Sequence, residues 1–69
     1  MVCRYLKEIV ALANQRSDGR ILEHDLLRFY STKQMARDIL QGLVGSGLFR
    51  AGMSAFYLNR EVAKERGLL

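Results

Sequence analysis

The sequence predicts an α+β domain, mostly α, with a three-helix core, a short β-hairpin and a short closing helix. Apolar residues recur at helical spacing in three successive segments before residue 46. Two short runs rich in Phe, Tyr and Leu follow, separated by Gly52-Met53-Ser54, a loop of hairpin length. With 69 residues the chain has room for one hydrophobic core, so residues 1–69 are read as a single domain.

The first helix spans residues 3–15. Leu6, Ile9, Val10 and Ala13 fall at i, i+3, i+4 and i+7, flanked by Tyr5 and Leu12, while Arg4, Lys7, Glu8, Asn14 and Gln15 lie off the stripe. Arg16-Ser17-Asp18-Gly19-Arg20 ends it, with Gly19 free to take a positive φ. Ile21 then stands as an isolated β-branched residue. The second helix spans 22–30, with Leu22, Leu26, Phe29 and Tyr30 at i, i+4, i+7 and i+8. Its carboxylates Glu23 and Asp25 sit in the first turn, where they complement the positive end of the helix dipole.

The third helix, about 32–45, opens at Lys33. Ser31 and Gln34 have the spacing of a capping box. A new helix starting so soon after the last one ends requires a sharp turn, the geometry of a helix-turn-helix. Met35, Ala36, Ile39, Leu40, Leu43 and Val44 make the apolar stripe, with Lys33, Gln34, Arg37, Asp38 and Gln41 opposite. Gly45-Ser46-Gly47 stops the helix, a glycine taking the left-handed cap. Strands are expected at 48–51 and 55–58, with Phe56 and Leu58 on one face and Ala55 and Tyr57 on the other. Asn59 caps a last helix over 60–66, halted by Gly67.

At Gly47-Leu48-Phe49-Arg50 and Phe56-Tyr57-Leu58 the chain resembles the winged helix-turn-helix DNA-binding superfamily. Members often end the recognition helix with a glycine, start the wing on an aliphatic residue and close it on an aromatic followed by leucine. The resemblance covers about residues 5–58 and makes the hairpin at about 48–58 the wing. It also implies a short strand at Arg20 and Ile21, paired with the hairpin. Unlike many DNA-binding wings, this one carries a single cation, Arg50.

Net charge is +4, and eight of the eleven cations are Arg, which suits bidentate phosphate or base contacts. Lys33, Gln34, Arg37 and Gln41 share one side of the third helix, where cations can pair with guanine and glutamine with adenine in a major groove. The hydroxyls of Ser31 and Thr32, with the amides of the helix start, can hold a phosphate. Arg50, with Arg20 near it across the sheet and Arg28 as a weaker candidate, can bind backbone phosphate. The alternative is an ordinary solvated face, with arginine stems covering apolar surface; Asp38 beside Arg37 favours that alternative. Phe49 and Tyr57 are the aromatics expected to be most exposed, for base stacking or for a dimer contact.

One cysteine, Cys3, excludes an internal disulfide and points to the reducing cytoplasm, or to nucleoid or nucleus for a DNA-bound protein. Apolar runs are far shorter than the roughly 20 residues of a membrane span. Arg4, Lys7 and Glu8 break any export signal. One His and one Cys fall short of a four-ligand zinc site, no glycine-rich phosphate loop opens a helix, and no catalytic set is visible. No enzyme, metal or cofactor is therefore expected. The expected function is non-catalytic binding of double-stranded DNA through the third helix. A homodimer or a parent or partner protein would extend the contact. The competing expectation is a winged helix that binds protein and no nucleic acid.

Overall fold

The computed structural model describes residues 4–69, so the expected helix start at Cys3 lies outside the described residues. The order is α1 (Leu6–Asn14), β1 (Arg20–Ile21), a 3-10 helix η1 (Glu23–Arg28), α2 (Lys33–Gly45), β2 (Phe49–Ala51), β3 (Phe56–Leu58) and α3 (Arg60–Glu65). The α+β class is as expected, and α2 is the third predicted helix. Among the described residues, no helix is long and apolar enough to cross a membrane.

The three strands form one antiparallel sheet in the order β1-β3-β2. Arg20 and Ile21 pair with Tyr57 and Phe56; Phe49, Arg50 and Ala51 pair with Leu58, Tyr57 and Phe56. The ladder extends beyond the strands, with Leu58 N–H donating to Gly19 C=O (2.9 Å) and Asn59 N–H to Leu48 C=O (2.8 Å). Gly19 is required at that crossing. Its φ is +71°, and a Cβ would lie 3.3 Å from the Leu58 Cβ.

Helices and sheet share one core. Ile9, Val10 and Ala13 of α1 meet Ile21, Leu26, Ala36, Leu40, Leu48, Phe49 and Leu58 there, all buried. Tyr5 stacks on Phe29 (5.1 Å between centroids) and meets Tyr30 edge-on, fastening α1 to the end of η1. Two helix ends are closed alike. At the end of α2, Gly47 (φ +86°) donates to Val44 C=O and Leu48 N–H to Leu43 C=O; at the end of α3, Gly67 (φ +73°) donates to Lys64 C=O and Leu68 N–H to Ala63 C=O. Both are Schellman caps, which send the following leucine back towards the core. The Arg66 guanidinium donates to Ser46 C=O (2.5 Å), joining the two ends.

Several expectations are corrected. The second helix is 3-10 rather than α over 22–30. Its stretch is bounded by Leu22 and Thr32, both in extended backbone, and is too short for a stable α-helix of its own. The Asp25 carboxylate also accepts from Leu22 N–H (2.8 Å), which tightens the first turn. The cap of α2 is Thr32, not Ser31. Thr32 has the extended backbone a cap needs (φ −133°, ψ 156°) and accepts from Met35 N–H (3.1 Å), whereas Gln34 turns to Asp38 and closes no capping box. Met35 is exposed at the edge of its stripe. Phe49, expected at the surface, is in the core because its register partner is Leu58.

Arg16 and Asp25 form a two-pronged ion pair (2.6 and 3.0 Å) that ties the α1–β1 turn to η1. The Arg16 hydrogen bond holds the Asp25 carboxyl below its ordinary value, against the opposing effect of burial. The unfolded chain therefore binds this proton more readily than the folded one. The stabilisation is complete above the ordinary Asp value of about 3.9 and is lost as pH falls through the lower folded value. Asp25→Asn should thus be less stable than wild type at about pH 6, with the gap closing towards about pH 2 in urea titrations. A gap independent of pH would show that the pair contributes no proton linkage.

Candidate nucleic-acid interface

The expected contact residues Ser31, Thr32, Lys33, Gln34, Arg37, Gln41 and Arg50 are all exposed. The structure divides them between two surfaces. The first is the outer side of α2. Its polar residues are exposed because Ala36, Leu40 and Leu43 take the buried side, leaving Lys33, Gln34, Arg37 and Gln41 to solvent.

Two of these four are engaged within the chain. Arg37 Nε donates to Glu23 on η1 (2.7 Å), and Gln34 Nε2 donates to Asp38 (2.9 Å). The hydrogen bond from Arg37 holds the Glu23 carboxyl below its ordinary value, with Lys33 adding a weaker attraction. Asp38, the acid beside Arg37 on this face, holds Gln34. Ser31 donates to the Met35 sulfur (3.4 Å) and the Thr32 oxygen is taken by its cap, so neither hydroxyl is idle. Thr32 takes the Met35 and Ala36 N–H groups, and the Lys33 and Gln34 amides ahead of them belong to the positive end of a helix 13 residues long.

Lys33 lines an open cleft between the starts of η1 and α2 on one side and the hairpin tip on the other. Leu22, Glu23 and His24 form one wall, and Gly52, Met53 and Ser54 the facing one. Met53 projects fully into solvent at the tip. His24 and Ser54 had no pattern in the sequence to connect them with Lys33. Only the fold brings the three to one cleft.

The second surface is the outer face of the sheet, which carries Arg50. Arg20 lies across the sheet from it, as expected, with β3 between them and both arginines in register with Tyr57. Register partners project to the same side of an antiparallel sheet, so Arg20, Tyr57 and Arg50 form a row across it. Ile21, Phe49 and Leu58 point the other way, into the core. Arg50 also borders a shallow depression with Asn59, Arg60 and Glu61. Arg28 is exposed at the end of η1. Among the described residues, no group of three or more His, Cys, Asp or Glu is gathered to hold a metal ion.

The start of α2 depends on a single side chain. Thr32→Ala should cost about 1 kcal/mol of stability, while Ser31→Ala should stay within about 0.5 kcal/mol, both read from urea midpoints. A larger loss from Ser31→Ala than from Thr32→Ala would return the cap to Ser31.

Compared with protein-family models, with curated proteins and with solved structures, the chain matches none of them.

Proposed function

We propose that the chain is a winged helix-turn-helix domain that binds double-stranded DNA without catalysis, with α2 in the major groove and the β2–β3 hairpin as its wing. Support for the fold reading is the element order together with the strand order β1-β3-β2, which sets the hairpin beside α2 with β1 on its far edge. The observation that carries the functional reading is the cleft in which Lys33 at the start of α2 faces the hairpin tip. A DNA backbone entering it would meet the amides of α2, Lys33 and Ser54, while Gln41 and a released Arg37 reach along the groove. A net charge of +4 favours the approach. One such module makes few base contacts, so useful specificity calls for a homodimer, a tandem copy or a parent protein. A transcriptional regulator, or a domain of a larger replication or recombination protein, fits that need.

A second reading is a winged helix that binds protein instead. It is favoured by the Arg37–Glu23 and Gln34–Asp38 contacts, which satisfy two of the four groove-facing residues internally, and by the exposed Met53.

Fluorescence anisotropy with random-sequence duplex DNA across a salt series separates them. Contact with about three to five phosphates predicts a log–log salt slope of roughly −3 to −4.5. Lys33→Glu should abolish binding, and Glu23→Gln, by releasing Arg37, should strengthen it. Absence of salt-sensitive binding at micromolar protein, or indifference to Lys33→Glu, favours the protein-binding reading.

A further inference from the structure

The row Arg20–Tyr57–Arg50 places two exposed arginines on either side of one aromatic ring. Arg16, Arg37, Arg60 and Arg66 are each hydrogen-bonded to groups of the chain. Among the described residues, the guanidinium groups of Arg20 and Arg50 have no hydrogen-bond or ion-pair partner, although both sit at fixed places on strands. Two carboxylates are placed beside the row. Asp18 spends a carboxylate oxygen on the backbone N–H of Arg20 (3.1 Å), and Glu61 borders the depression beside Arg50.

Between the two arginines stands a half-buried aromatic ring. Tyr57 lies over Gly52 across the hairpin, and a Cβ at Gly52 would collide with the ring. The hairpin thus holds the ring from one side. Neighbouring strands are about 4.8 Å apart, so the two arginines flank the ring with their Cα atoms roughly 10 Å from each other.

We propose that this outer sheet face binds single-stranded nucleic acid, one base stacking on Tyr57 and the phosphates on either side of it going to Arg20 and Arg50. The chemistry selects that ligand. Guanidinium groups bind phosphates in two-pronged fashion, and an aromatic side chain stacks any unpaired base. A duplex keeps its base faces covered and would leave Tyr57 unused; a free anion would use one arginine and no ring. The proposal is independent of α2, which takes no part in this face.

The test uses the full chain and a labelled oligothymidylate of about twelve nucleotides, within the site sizes of such surfaces. Wild type should bind it in a salt-sensitive manner. Tyr57→Leu should weaken binding roughly 5- to 150-fold, and Tyr57→Phe should restore it. Arg20→Gln combined with Arg50→Gln should flatten the salt slope by about 1.4. Lys33→Glu should weaken this binding no more than Arg28→Glu does, while abolishing binding to duplex DNA, which separates failure here from failure of the duplex reading. Circular dichroism of each variant, with exposed Arg28→Gln as a control for lost charge, guards against unfolding. The proposal is overturned by no binding to the oligonucleotide, by binding indifferent to Tyr57→Leu, or by a loss equal to that of Arg28→Gln. It is also overturned if the face instead joins two copies of the chain, seen as a dimer in sedimentation that Tyr57→Leu dissolves.

Discussion

The central position of β3 is the constraint on which the rest of the structure depends. Among the described residues, its three residues are the only strand partner of both β1 and β2. Arg20 and Ile21 come from the amino-terminal half and Phe49 to Ala51 from the hairpin, and neither would be fixed without Phe56–Leu58 between them. Leu58 makes this strand double-sided. Its N–H reaches Gly19 while its side chain enters the core opposite Phe49. The close approach at Gly19 is therefore as much a part of the sheet as the strand residues are.

That arrangement separates two kinds of surface. Packing of α2 through Ala36, Leu40 and Leu43 turns its polar side outward and sets Lys33 opposite the hairpin tip. Period-two alternation along three strands sends Ile21, Phe49 and Leu58 inward and leaves Arg20, Tyr57 and Arg50 outside. On the helix surface Arg37 and Gln34 are held by Glu23 and Asp38, while Lys33 stays open. On the sheet surface both arginines stay open.

What the sequence made legible follows the length of each pattern. The 13 residues of α2 give the helical stripe several turns in which to declare itself, and its glycine stop is local chemistry. Its start at Lys33 is legible too, but not its cap, because Ser31 and Thr32 both offer a hydroxyl and backbone conformation decides between them. The six residues of η1 satisfy helical spacing without distinguishing α from 3-10 winding. In a strand of three residues, alternation alone cannot say which side is the core, and only the pairing with Leu58 places Phe49 inward. The Arg20–Tyr57–Arg50 row could not be read at all. It depends on register between residues separated by more than half the chain.

The Glu23–Arg37 ion pair, which joins η1 to α2, has a consequence for selectivity. In a surface that receives phosphate, a carboxylate already seated on the guanidinium acts as an internal competitor. A lone anion from solution would have to displace it for the return of a single contact. A polyanion that engages neighbouring groups at the same time could spread that displacement over several contacts. The pair would then act as a threshold, discriminating against small ions and in favour of ligands that present a continuous ladder of charge.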